Sequence, residues 1–130
     1  MAEHLHVSKA ERVLFVDDDP HMRRTFQASM RRADLRCDAA ASGIEALQFA
    51  KRRRYTVVAC DLRMPNMDGF AALTRLTRLQ PRARFVIVTG LCPSHFPAGE
   101  AISVAGKLVP IIEKPWDETR LLQAIAEQPV

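Results

Sequence analysis

Residues 13–20, Val-Leu-Phe-Val-Asp-Asp-Asp-Pro, decide the fold because they join a short apolar run to three acidic residues and a proline. An apolar run of this length, bounded by polar residues, is typical of a buried parallel strand. Three further runs have the same form and end in polar groups: 57–60 in Asp61, 85–88 in Thr89, and 108–112 in Glu113 and Lys114. Helix-like segments separate the runs, so the sequence predicts an α/β fold with a parallel sheet.

The polar residues that follow these runs predict a phosphoryl-transfer site. Ligands of open parallel sheets bind beyond the carboxyl ends of the strands, so the acids, the hydroxyl and the ammonium are expected to converge. Neighbouring carboxylates stay ionised together only with a cation between them. Mg²⁺ suits a site made of Asp17 or Asp18, Asp61 and a main-chain carbonyl, and Mn²⁺ is an alternative ion.

Asp61 is the candidate nucleophile because it stands alone at the end of a central strand. A carboxylate that faces a bound divalent cation can attack a phosphoryl group and form an aspartyl phosphate. Lys114 would then pair with the phosphoryl oxygens as a point charge, and Thr89 could donate its hydroxyl to a second oxygen.

Length and composition predict one globular domain. The chain has 130 residues, of which 48% are hydrophobic and 26% charged, as in an ordinary globular protein. We expect a flexible tail over residues 1–10 and a single domain over residues 11–130. No apolar stretch approaches the roughly 20 residues that span a bilayer, and the N-terminus lacks the pattern of a signal peptide. We therefore expect a cytoplasmic protein without membrane contact.

The net charge of +4 comes with several clusters of arginines, which raises the question of nucleic-acid binding. The clusters fall at predicted helix ends, aromatic residues make up 6% of the chain, and no helix-turn-helix, zinc-finger or RNP pattern accompanies them. We expect no direct nucleic-acid binding. Solvated helix faces that also suit an acidic protein partner explain the arginines at least as well.

Helical patterns are predicted over residues 20–33, 42–53, 69–79 and 117–127, with a weak strand over 36–40. Ile44 is one of the apolar residues of the predicted helix over 42–53. Phe70 and Leu79 are assigned to the inward face of the predicted helix over 69–79. Residues 90–106 predict a long loop followed by a short, irregular helix over 100–105. Pro110 cannot donate a ladder hydrogen bond, so the last strand is predicted to lie at an edge of the sheet.

Four segments together resemble the receiver domains of bacterial two-component response regulators, and the resemblance covers the chain from Val13 to the last helix. Residues 13–20 are similar to the acidic-pair segment of that family. Residues 57–70, Val-Val-Ala-Cys-Asp-Leu-Arg-Met-Pro-Asn-Met-Asp-Gly-Phe, resemble its phosphoacceptor segment almost residue for residue. Residues 86–90, Val-Ile-Val-Thr-Gly, and 113–116, Glu-Lys-Pro-Trp, resemble its Thr and Lys-Pro segments.

The resemblance implies a role for each residue of the site. Asp61 would be phosphorylated, Asp17 and Asp18 would hold Mg²⁺ together with Asp61, and the backbone carbonyl of Arg63 would complete the protein ligands. Thr89 and Lys114 would be the switch hydroxyl and the phosphate-pairing ammonium. The implied fold is a single doubly wound, flavodoxin-like domain with a five-stranded parallel sheet of order 2-1-3-4-5. The peptide bond between Lys114 and Pro115 would be cis.

Two departures from the family pattern concern the switch. Ile111 stands where an aromatic residue commonly moves inward as the Thr moves toward the phosphoryl group, so a switch here would work through loop or helix geometry. The proline-rich segment 91–99 replaces the usual start of the fourth helix. In that family the side chains that flank the acceptor tune hydrolysis, and the resemblance places Arg63 and Leu91 at those positions. We expect apolar Leu91 to slow attack by water.

The resemblance implies a regulatory phosphoacceptor, with no chemistry beyond its own phosphorylation and dephosphorylation. Its partners would be a histidine kinase or histidine phosphotransfer protein and an output domain or effector protein, and a homodimer stays open. One alternative is a binding module of receiver fold that works without phosphorylation. Another is a haloacid-dehalogenase-type phosphatase, although Asp17 and Asp19 lack the Thr or Val that such enzymes carry two residues later, where this chain has His21.

Overall fold

The structure is a computed structural model that describes residues 11–63, 69–90 and 101–126. Strands and helices alternate along most of the chain, as the apolar runs predict. The elements are β1 Arg12–Val16, α1 Pro20–Arg32, β2 Arg36–Ala40, α2 Gly43–Arg52, β3 Val57–Cys60, α3 Gly69–Leu79, β4 Arg84–Thr89, β5 Ala101–Val104, β6 Lys107–Glu113 and α4 Glu118–Ala126. The predicted α/β class is confirmed.

Local hydrogen bonds explain where α1 and α2 begin. The Asp19 side chain accepts from the His21 N–H at 2.8 Å, and Pro20 occupies the first turn of α1, where its missing donor costs nothing. At α2 the N-cap Ser42 Oγ accepts from the Glu45 N–H, and Glu45 Oε1 accepts from the N–H of Ala41, the residue before the cap. Helix α1 therefore starts directly after the acidic residues that follow β1.

The sheet has the strand order β2-β1-β3-β4-β6-β5. The first five of these strands are parallel and reproduce the predicted 2-1-3-4-5 order. The last strand in that list, β5, is antiparallel to β6 and makes the sheet six-stranded. The prediction of a short helix over residues 100–105 is therefore wrong, since residues 101–104 form a strand.

A tight hairpin turn explains this difference. Ala105 and Gly106 both have positive φ, at 49° and 81°, and they lie between the paired residues Val104 and Lys107. Two consecutive positive-φ residues are typical of a type I′ turn, which joins antiparallel strands. As a result β6 lies between β4 and β5 in the sheet, pairing with β5 over residues 107–110 and with β4 over residues 111–113, so its predicted place at the edge is wrong. Pro110 pairs with Ala101 and precedes Ile111, where the pairing with β4 begins.

The core lies on both faces of the sheet. Helices α2 and α3 cover the face that contains Leu14, Val58 and Ile87, and α1 and α4 contribute Phe26 and Leu121 to the opposite face. The central strands β1, β3 and β4 are buried nearly completely, which explains why their sequences are continuous apolar runs. The parallel strands are thereby held rigidly, with all their carboxyl ends at one edge.

Three apolar residues assigned to the helices are in fact exposed: Ile44, Phe70 and Leu79 have exposed fractions of 56%, 41% and 39%. A residue three positions along an α-helix lies about 60° short of a full turn, so the series Phe70, Leu73, Leu76, Leu79 drifts around α3. The middle two members stay buried and the end members turn outward. Ile44 lies about 160° around α2 from buried Ala46.

Several predictions fall outside the described residues: the flexible tail over residues 1–10, the proline-rich segment 91–99 and the role of Leu91. Among the helices that the structure describes, none is long and apolar enough to cross a membrane.

Candidate functional site

The predicted site residues lie together at the carboxyl ends of the parallel strands. Asp17 follows β1, Asp61 follows β3, Thr89 ends β4 and Lys114 follows β6. Because these strands are parallel neighbours, their carboxyl ends bring the four residues together. They border an open cleft of about 540 Å³, which is lined by Asp17, Asp18, Asp19, Pro20, Asp61, Arg63, Gly90 and Lys114.

Lys114 connects the two acidic strand ends. Its Nζ donates to Asp17 Oδ2 at 2.5 Å and to Asp61 Oδ2 at 3.1 Å. The Asp17 side chain is fully buried, and those of Asp61 and Lys114 are 7% and 15% exposed. A buried ammonium between two buried carboxylates offsets much of the desolvation cost of each charge. The three groups therefore form one electrostatic unit.

Asp17, Asp18 and Asp61 could also hold a metal ion. One carboxylate oxygen from each of them lies within 4.8 Å of the others. Oxygen ligands in this number suit a hard divalent cation that keeps several waters. Arg63 lines the same cleft, and its N–H donates to Asp61 Oδ1 at 3.2 Å. This bond orients the Asp61 carboxylate, so that one oxygen faces Arg63 and the other faces Lys114.

Burial and pairing act in opposite directions on the charges of this unit. Burial raises the pKa of Asp17 above its usual range, against the lowering effect of the Lys114 hydrogen bond. Burial also acts to lower the pKa of Lys114, but its hydrogen bonds to Asp17 and Asp61 outweigh this effect and raise it. Lys114 therefore stays charged at neutral pH. Burial raises the pKa of the neighbouring Cys60 thiol, so Cys60 is a poor nucleophile.

The remaining predicted residues lie close to this unit. Thr89 is fully buried, and its backbone carbonyl accepts from the Lys114 N–H at 2.8 Å. Ile111 is buried on β6, where it pairs with Ile87 of β4. The peptide bond between Lys114 and Pro115 is cis. Lys114 is thus attached to β4 through its backbone and to β1 and β3 through its side chain.

Two supporting residues were not among the predicted site residues. Arg23 donates from Nη1 to the Asp17 carbonyl oxygen at 2.9 Å, and so ties α1 to the end of β1. Gly69 begins α3, and a Cβ at this position would lie 2.4 Å from Leu62 Cα and 2.7 Å from the Asp61 carbonyl oxygen. The glycine after Asp68 in the sequence could have indicated such a close approach. Nothing in the local sequence indicates the role of Arg23.

Comparison with known proteins agrees with this geometry. The family model described as "Response regulator receiver domain" matches residues 13–126. The C4-dicarboxylate transport transcriptional regulatory protein DctD of Rhizobium meliloti is 30% identical over 119 residues, which are 91% of this chain and 25% of DctD. The chemotaxis protein CheY of Thermotoga maritima is 28% identical over 88% of this chain and 94% of CheY.

Among solved structures, the chemotaxis protein CheY4 of Vibrio cholerae superposes with a TM-score of 0.75 at 25% identity. This alignment covers 88% of the present chain and 98% of CheY4. The chain thus spans about a quarter of DctD but nearly all of the chemotaxis proteins it resembles.

Proposed function

The chain belongs to the family of response regulator receiver domains, the signal-receiving modules of two-component systems, and on this premise we propose that Asp61 is its phosphoacceptor. One observation carries the proposal: a buried carboxylate at the end of a central strand is paired with Lys114 next to two further carboxylates. Residues 11–130 would form the receiver unit. The donor would be a histidine kinase or a histidine phosphotransfer protein, in the cytoplasm.

Receiver domains bind Mg²⁺ at an acidic pocket, and the cluster of Asp17, Asp18 and Asp61 fits such an ion because its oxygens converge from two strands. The backbone carbonyl of Arg63 is proposed as a further ligand. When bound, the ion would neutralise charge on the transferring phosphoryl oxygens.

The residues of the chain orient the reacting groups. An Asp61 oxygen attacks the phosphorus and forms the new P–O bond, while the bond to the donor breaks and the leaving group keeps its electron pair. The Arg63 N–H fixes the plane of the Asp61 carboxylate beforehand. Lys114 exchanges its bond to Asp61 for the phosphoryl oxygens, and the Thr89 hydroxyl moves to another of these oxygens.

The outcome is a change of surface, so the chain acts as a regulatory switch. With Ile111 in place of an aromatic residue, the change would pass through the turn after Lys114 and through α4. An output domain, an effector protein or a second copy of the chain would read it.

Intact-mass spectrometry tests the proposal most directly. The chain is incubated with Mg²⁺ and acetyl phosphate, alongside the Asp61→Asn variant and an Asp34→Asn control, since Asp34 is exposed and lies outside the cleft. We expect one acid-stable, base-labile phosphoryl adduct in the wild type and the control, and none in Asp61→Asn. Chelation of Mg²⁺ should remove the adduct.

Other results would favour the alternatives. If no adduct forms although Mg²⁺ binds, the chain is a phosphorylation-independent binding module of receiver fold. If it instead hydrolyses a generic phosphate ester with turnover, the phosphatase interpretation is favoured.

A further inference from the structure

A second, basic cleft lies at the amino ends of the parallel strands, opposite the acidic site at their carboxyl ends. It has a volume of about 670 Å³ and lies between the end of α2 and the end of α3, and its lining residues precede β3 and β4. Because β3 has four residues, about 13 Å of strand separates this cleft from Asp61. A ligand in the basic cleft would therefore leave the acidic site accessible.

The walls of the basic cleft are held together by one buried side chain. Gln80 follows α3 and is 6% exposed. Its Nε2 donates to the carbonyl oxygens of Ala50 and Arg53 at 2.9 and 2.7 Å, and its Oε1 accepts from the Tyr55 N–H at 3.0 Å. The two loops that form the cleft are thus fixed to each other, and a ligand would meet a preorganised surface.

The charges of the cleft are almost entirely positive. The cations in its lining are exposed: Lys51, Arg52, Arg53, Arg54 and Arg82. Arg53 contacts Asp38 at 3.4 Å, and among the residues that the structure describes, the other four have no carboxylate within ion-pair distance. Lys107 lies at the rim, where its Nζ donates to the Pro81 carbonyl oxygen. Self-repulsion among so many cations favours an anionic ligand.

The chemistry of the lining favours a polypeptide over a nucleic acid. Four of the five cations are arginines, whose planar groups bind carboxylates through paired hydrogen bonds. Leu79 and Pro81 are exposed next to them and offer apolar contact. Tyr55 is the aromatic residue of the cleft, but it is 3% exposed and its hydroxyl donates to Asp38 at 2.6 Å, so it cannot stack on a base.

We propose that the basic cleft binds an acidic segment of a partner protein. Carboxylates of the segment pair with Arg52, Arg54 and Arg82, and its interleaved apolar side chains contact Leu79 and Pro81. This partner surface is independent of phosphorylation at Asp61 and lies at the other end of the sheet.

Fluorescence anisotropy with a labelled peptide of alternating Glu and Leu tests the proposal. The cleft variant is Arg54→Glu with Arg82→Glu, and the matched control is Arg24→Glu with Arg120→Glu, which makes the same change in net charge at exposed positions of α1 and α4. We expect the cleft variant to weaken binding by at least about tenfold and the control by less than about twofold, with affinity falling as salt rises. A peptide with Gln in place of Glu should not bind.

Three results would overturn the proposal: no binding of the acidic peptide, equal losses in the cleft and control variants, or tighter binding of a DNA duplex through the same arginines. Acetyl phosphate labelling of Asp61 in each variant checks that the variant is folded. A variant that is labelled but does not bind the peptide separates a loss of peptide binding from a failure of the phosphoacceptor proposal. If the double Glu variant does not fold, Arg54→Gln with Arg82→Gln gives the same test with a smaller expected loss.

Discussion

Lys114 is the residue on which the acidic site depends most, because its ammonium is the neutralising group between Asp17 and Asp61. Removing one partner of a buried ion pair leaves an uncompensated charge in a poorly solvated place. We expect Lys114→Ala to lower the free energy of unfolding by about 3 kcal/mol in the absence of divalent cations. With Mg²⁺ the loss should shrink, since the ion binds the native carboxylates and takes over part of the neutralisation.

Urea unfolding with and without Mg²⁺ measures this difference. Lys51→Ala serves as the control, because Lys51 is exposed and its removal should change stability by less than about 0.5 kcal/mol. An equal loss for Lys114→Ala in both buffers would contradict the expected exchange between the ammonium and the metal ion.

Tyr55 provides a second test at a single residue, and it is the only tyrosine of the chain. Burial, aided by the hydrogen bond to Asp38 and its charge, raises the pKa of the Tyr55 phenol. A raised pKa in the folded state means that the protonated phenol stabilises the fold below the unfolded value of about 10. This contribution is lost as the pH rises through the higher, folded value.

Ultraviolet absorbance of the phenolate follows this titration directly. We expect the native chain to ionise well above the denatured chain, and the Asp38→Asn variant to ionise at a pH between the two. Coincident titration curves for the native and denatured chains would show that the phenol is solvated.

Among the elements, α3 is placed against the end of β3 by its first residue. An alanine usually stabilises a helix by about 1 kcal/mol relative to glycine. At Gly69 the added methyl group would instead meet Leu62 Cα at 2.4 Å, so α3 or the segment after Asp61 must shift. We expect Gly69→Ala to destabilise the chain by about 1–3 kcal/mol and to slow phosphorylation by acetyl phosphate.

Thermal unfolding compares this variant with Gly90→Ala, where an added Cβ has no neighbour within 4 Å. A stabilised Gly69→Ala variant would mean that the helix start relaxes freely and does not position Asp61.

The elements also show which parts of the fold the sequence predicts. Continuous apolar runs predict β1, β3 and β4 because those strands are buried on both faces, and the run of β6 is buried at Val109, Ile111 and Ile112. The convergence of Asp17, Asp61 and Lys114 follows from strand order alone. Strand β5 was missed because residues 101–104 are short and weakly patterned, and what makes them a strand is the backbone of Ala105 and Gly106. The bond between Lys114 and Asp17 joins residues 97 positions apart, which no local pattern encodes.

Across the whole molecule, the sheet separates two apolar clusters, and the acidic site is joined to one of them through Trp116. This residue follows Lys114 by two positions. Its indole lies edge-on to the rings of Phe15 and Phe26, at centroid distances of 6.4 and 5.6 Å, and its Nε1 donates to Ser29 Oγ. Ile111 belongs to the cluster on the opposite face. We therefore expect a movement of Lys114 to reach α1 and α4 through Trp116, by a route that does not require an aromatic residue at position 111.

Tryptophan fluorescence tests this route, because Trp116 is the only tryptophan. If Lys114 leaves Asp17 and Asp61 for a phosphoryl group, the turn that carries Trp116 shifts against Phe15 and Phe26, and the environment of the indole changes. We expect acetyl phosphate with Mg²⁺ to change the tryptophan emission of the wild type. The emission of Asp61→Asn should be the same with acetyl phosphate and Mg²⁺ as with Mg²⁺ alone. Full phosphorylation by mass with unchanged emission would show that the Lys114 turn stays fixed, and the signal would then have to leave the site along β4 and β6.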